Sequence, residues 1–90
     1  MGGLIEYQIK NIITNTYSGD LNKTPTGEGE VRVYRLGTCT NAPNNDLGFI
    51  LIDLLYDGYV KSQIAIKSGK IYTRYAEGAK WYSWKSVSFA

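Results

Sequence analysis

The most regular alternation of apolar and polar positions is Ile71-Tyr72-Thr73-Arg74-Tyr75. Five alternating residues of β-branched and aromatic type predict a half-buried strand. The pleat sends Ile71, Thr73 and Tyr75 to one face and Tyr72 and Arg74 to the other. Trp81 and Trp84 follow at a spacing of three, which strict alternation would place on opposite faces. Upstream, Glu30 to Leu36 alternates Val31 and Val33 against Arg32 and Tyr34, a second strand. Leu47 to Leu55 is nearly continuous in its apolar character, which predicts a central strand covered on both faces, where one cover could be a neighbouring subunit. Asp53 interrupts that run and is expected to be a satisfied carboxylate at a bulge or subunit contact.

Turn chemistry links these runs. Asp57-Gly58 between apolar segments predicts a type I′ hairpin. Gln63 to Ile66 forms the next strand, and Ser68-Gly69 and Gly78 reverse the chain again. Four strands joined by short reversals make an antiparallel meander and exclude a doubly wound nucleotide fold.

The first half is less regular. Ile5, Ile9 and Ile12 recur at spacings of four and three, but over fewer than two heptads. They predict a short helical or extended lead-in supported by copies of itself. The segment from Thr16 to Glu30 is rich in Gly, Ser, Thr, Asn and Pro and reads as loop, with Leu21 tucked beneath it. Gly37 to Asp46 reads as a second long loop, turned at Pro43. The division expected is a lead-in over 1–16 and a β domain over 17–90. The start, Met1-Gly2-Gly3 followed at once by Leu4-Ile5, reads as a piece of a longer chain.

Composition narrows the function. Ninety residues make one domain with a thin core, which oligomerisation commonly supports. The chain has no histidine, hence neither the usual general base nor the commonest metal ligand. One cysteine, Cys39, allows no internal disulfide or thiolate zinc site and reads as a small buried residue. No apolar run spans a membrane and no leader is expected, so a soluble chain is predicted. Charge is uneven: residues 61–90 carry six basic residues and one acid, residues 1–60 four and seven. A basic, aromatic sheet could suit single-stranded nucleic acid, or could be an ordinary solvated face. Arg74 could stack on a ring or hold a carboxylate such as Glu77 or Asp53. No nucleophile–base pair, spaced carboxylate pair or phosphate loop is present. The inventory of aromatics, amides and arginine is that of a recognition surface, without enzymatic activity, cofactor or metal.

Five pieces stand in order: Thr40-Asn41-Ala42-Pro43, Gly48-Phe49-Ile50-Leu51-Ile52, Gln63-Ile64-Ala65, Gly69 to Tyr75, and Trp81-Tyr82-Ser83-Trp84-Lys85. In this the chain resembles the knob domain at the distal end of R-type pyocin and bacteriophage tail fibres, over about Leu21 to Phe89. The resemblance implies a small all-β meander or sandwich, trimeric about the fibre axis, that adheres to a bacterial surface glycan at the tip of a virion or phage-tail-like particle. It implies that Ile5, Ile9 and Ile12 end the shaft, and that Asn41, Pro43, Tyr72, Arg74, Trp81 and Trp84 serve the scaffold or subunit contacts. Exposed rings and loop amides, Tyr56, Tyr59, Tyr82, Asn44, Asn45 and Asp46, are then the candidates to meet a sugar. Two rivals remain: a trimerisation cap that binds nothing, and a single-strand nucleic-acid binder with Tyr72, Arg74, Lys85 and an exposed tryptophan on one open face.

Overall fold

The computed structural model describes residues 13–45 and 48–87. The chain is all-β: seven strands in a single curled sheet, with two short 3-10 turns and no α-helix among the described residues. The strands are β1 (Ile13–Asp20), β2 (Glu30–Thr40), β3 (Ile50–Leu55), β4 (Val60–Lys67), β5 (Lys70–Glu77), β6 (Lys80–Trp81) and β7 (Lys85–Ser86). They lie in the order β1-β2-β3-β4-β5-β6, with β7 also pairing β5. Ile5, Ile9 and Ile12 fall outside the described residues.

The meander from β3 to β5 forms as its turns predict, and the turns differ in chemistry. At Ser68-Gly69 both central residues have positive φ (49° and 79°), the requirement of a type I′ turn. Asp57-Gly58 does not form the expected type I′ turn, because neither residue has positive φ. Instead the Asp57 carboxylate accepts from the backbone N–H groups of Tyr59 and Val60, both at 2.8 Å. A side chain that closes the loop on its own backbone removes the need for the strained conformation.

Three expectations are corrected in the first half. The sheet is mixed, because β1 runs parallel to β2, with Ile13 opposite Val33 and Asp20 opposite Thr40. Thr16 to Asp20 is therefore strand, not loop. Gly37 to Thr40 likewise continues β2. Gly37 is there because β1 comes close: a Cβ on it would lie 2.4 Å from Ser18 Oγ. A glycine chosen for close approach looks the same in sequence as one chosen for a turn.

Parallel pairing obliges residues 21–29 to run back along the sheet before β2 begins, and they form the cover of its inner face. Leu21 is fully buried, as its isolated position predicts. It joins Tyr34, Leu36, Cys39, Ala42, Phe49, Leu51 and Ala65 in the core, with Tyr17, Tyr72 and Trp84 packed against them.

Among the described residues no segment runs across the opposite face in this way. Strand register places Val31, Leu54, Ser62 and Tyr75 in one transverse row, Val33, Ile52, Ile64 and Thr73 in the next, and Arg35, Ile50, Ile66 and Ile71 in a third. Val31, Ile50, Leu54 and Tyr75 are exposed, and the isoleucines between them are half-buried. Within one chain β3 alternates, with Leu51 and Asp53 inside and Ile50 and Leu54 outside, so the second cover expected of it is not supplied by the described residues. Continuity of apolar residues does not distinguish a face covered by the same chain from one left bare.

Candidate functional site

Antiparallel register aligns Arg32, Asp53, Gln63 and Arg74 across four neighbouring strands on the inner face. Polar side chains in such a row must satisfy one another, since burial without a partner costs about 1–3 kcal/mol per group. Asp53 accepts from the hydroxyls of Thr24 and Thr26, the latter at 2.6 Å, and from Gln63 Nε2 at 3.2 Å. Thr26 Oγ1 also lies 2.9 Å from the Tyr34 hydroxyl. Gln63 Nε2 donates to the Leu21 carbonyl, and Gln63 Oε1 accepts from Arg74 Nε, each at 2.7 Å. Asp53 is thus the satisfied carboxylate expected of it, held in an unbroken strand rather than at a bulge.

Arg74 ends the row and begins the site. It stacks on rings, one of the two roles its sequence neighbours allow. Its guanidinium carbon lies 4.0 Å from the centroid of Trp81 and 4.8 Å from that of Trp84. The two tryptophans therefore share the inner side of the sheet. Alternation fails because Tyr82, Ser83 and Trp84 leave the ladder between β6 and β7. The chain turns there while Tyr82 N still donates to the Tyr75 carbonyl at 3.0 Å. Trp84 Nε1 then reaches the Asn41 carbonyl at 2.7 Å. Asn41, in the left-handed region at φ 61°, donates through Nδ2 to Asp20 at 2.7 Å. The two hydrogen bonds tie the C-terminal segment to the end of β1.

Between these segments lies a cleft of about 320 Å³, lined by Asn22, Asn41, Ala42, Arg74, Trp81, Tyr82, Ser83 and Trp84. That is the low end of the volumes that hold small ligands, roughly 300–1,000 Å³. Two buried polar atoms in its walls have no hydrogen-bond partner, Asn22 Oδ1 and Arg74 Nη2. Desolvation lowers the Arg74 pKa to about 10, with Asp20 and Asp53 pulling weakly the other way. The guanidinium remains charged at neutral pH. The single ion pair among the described residues is Arg32 with Glu30, away from the cleft.

The sequence candidates are not gathered here. Tyr56 and Tyr59 are exposed on the β3–β4 turn, whereas Asn44 lies just before β3, a strand length of roughly 20 Å away. Tyr82 alone among the six lines the cleft, its ring stacked on Tyr75 with centroids 4.3 Å apart. Asn44 donates to the Tyr72 hydroxyl at 3.3 Å beside a separate cavity of about 100 Å³. The Asn45 side chain and Asp46 fall outside the described residues. Of the residues assigned to the scaffold, Pro43 and Arg74 are buried, and Tyr72 meets Phe49 edge-on at 5.8 Å. Sequence reading assigned no role to Asn22, Ala42 or Ser83; Asn22 carries no motif and reaches the cleft only through the return of residues 21–29.

Arg74 and Tyr72 are turned inward, so the open basic face that a nucleic-acid binder requires is not formed by them. Among the described residues no three His, Cys, Asp or Glu side chains cluster as metal ligands, and no helix is long and apolar enough to cross a membrane. No protein-family model matches the chain, and no curated protein or solved structure is significantly similar to it.

Proposed function

We propose that this chain is a non-enzymatic receptor-binding tip domain of a phage or phage-like tail fibre, which adheres as a homotrimer to a bacterial surface glycan. The observation that carries this reading is the cleft beside Arg74. Two indoles offer ring surface to the apolar face of a sugar, while Asn22 Oδ1 and the Arg74 guanidinium hold hydrogen-bonding capacity that the protein leaves unspent. Ring stacking with a few convergent polar groups is how proteins hold small polar ligands. The ordered resemblance to fibre knob domains supplies the context.

Self-association rests on a second feature. The outer face of β2 to β5 presents three rows of mainly apolar residues whose single charge is Arg35. Four strands about 4.8 Å apart and six residues deep cover on the order of 400 Å², a size at which exposed apolar patches usually mark interaction sites. Further copies of the same chain are the partner argued for, since a face nearly without charge matches itself. The same face also favours the alternative of a fibre cap that binds no receptor.

A glycan screen against bacterial cell-wall and surface polysaccharides, with the 90-residue chain, separates the two. Saturable binding lost in Trp84→Ala supports adhesion. A trimer that retains no glycan in the screen supports the cap, and a monomer at micromolar concentration overturns both.

A further inference from the structure

Arg74 is 93% buried by its fractional exposure of 7%, yet no carboxylate contacts it among the described residues. Its Nε is committed to Gln63, and its flat faces to Trp81 and Trp84. Nη2 is buried in the cleft wall and has no hydrogen-bond partner. A buried cation is ordinarily paired, because burial removes the hydration that stabilised it. Indole rings offset part of that loss by attraction to their faces, but they accept no hydrogen bond in the guanidinium plane. Asp53, which could have been the counter-ion, is committed to Thr24, Thr26 and Gln63. Asp20 is turned to Asn22 N and Asn41 Nδ2, which both donate to its Oδ1, and makes no ion pair with Arg74.

Resting on the adhesion reading, we infer that the cleft is built for an acidic sugar: a monosaccharide unit bearing a carboxylate, whose negative charge is completed by Arg74 and one of whose hydroxyls donates to Asn22 Oδ1. The ring of that unit packs against the indoles. The charge fits a monoanion better than a phosphate dianion. Asp20 and Asp53 already reach Arg74 electrostatically, and a second negative charge on the ligand would face both. The commitment of Nε leaves the guanidinium to donate from its Nη end, which one carboxylate oxygen satisfies.

The test is an array of bacterial and synthetic glycans containing uronic and sialic-type acids beside neutral oligosaccharides, followed by titration of each acidic hit and its carboxyl-reduced counterpart. Reduction is expected to weaken binding by about tenfold or more, the loss of a charge-assisted hydrogen bond. Asn22→Ala, which removes a half-buried side chain that bonds no other side chain, is expected to weaken it severalfold with the circular dichroism spectrum unchanged. Arg74→Gln is expected to abolish the preference for the acid. Neutral glycans bound as tightly as acidic ones overturn this inference and leave adhesion standing. An array without any hit overturns adhesion itself, and this inference with it.

Discussion

The Arg74 guanidinium and the Trp81 ring stack with 4.0 Å between the guanidinium carbon and the ring centroid, although seven residues and a chain reversal separate them. The contact exists because β5 and β6 place Ala76 opposite Trp81, which brings the indole over the inner face beside Arg74. Trp84 adds a second indole 4.8 Å from the guanidinium carbon. Stability and recognition therefore meet in one cluster.

Trp84→Ala removes both that indole and the bond to the Asn41 carbonyl. A loss of about 2–4 kcal/mol is expected for a half-buried tryptophan, read from the urea midpoint. Trp84→Phe keeps a ring and loses only the N–H donor, so about 1 kcal/mol is expected. Equal losses in the two variants would show that packing contributes little.

Thr26→Val tests the buried network. The threonine hydroxyl meets both Asp53 and the Tyr34 hydroxyl, and valine fills the same space without bonding either. A cost of about 1–3 kcal/mol is expected from the unsatisfied groups, with the fold retained. Thr24→Val, beside the same carboxylate, is expected to be milder because Thr24 is less buried.

Leu54→Lys separates folding from assembly. Leu54 is 39% exposed on the outer face, so lysine there should change the stability of the isolated chain by no more than about 0.5 kcal/mol. Under the homotrimer proposal the variant should sediment as a 10.1 kDa monomer while the parent chain does not. Identical sedimentation of the two removes this face from assembly.

Ser68→Asn should stabilise the β4–β5 hairpin. Ser68 occupies the left-handed region at φ 49°, where asparagine is tolerated better than serine. A gain of about 0.5 kcal/mol is expected by thermal unfolding. Gly69→Val, at φ 79°, should lose more than that.

Acid should weaken the fold from pH 4 downward, by way of Asp20 and Asp57. The Asn22 backbone N–H, then the Asn41 amide, hold the Asp20 carboxyl below its ordinary range; the Val60 and then the Tyr59 N–H do the same for Asp57. A depressed folded pKa means that the unfolded chain binds more protons, so stability is fully present above the unfolded value of about 4 and is lost as pH falls through the folded values. Urea midpoints from pH 6 to pH 2 should show this decline. Asp57→Asn should flatten it, and an unchanged slope would remove Asp57 from the account.

Local pattern was sufficient for much of the architecture. Alternation in Val31 to Leu36 and Ile71 to Tyr75, with turns at Ser68-Gly69 and Gly78, dictates strands and reversals because pleat and turn dihedrals act over two to five residues. It also dictates that Tyr72 and Arg74 share a face, and that Leu21 is buried. Partnership across distance was not encoded locally. β1 reads as loop because its polar residues are held by a parallel neighbour twenty residues on. Trp81 and Trp84 meet over Arg74 because the ladder breaks at Tyr82, and Asn22 joins them because the crossover passes over the inner face. The cleft is a product of register and return path, and those depend on contacts between residues far apart in sequence.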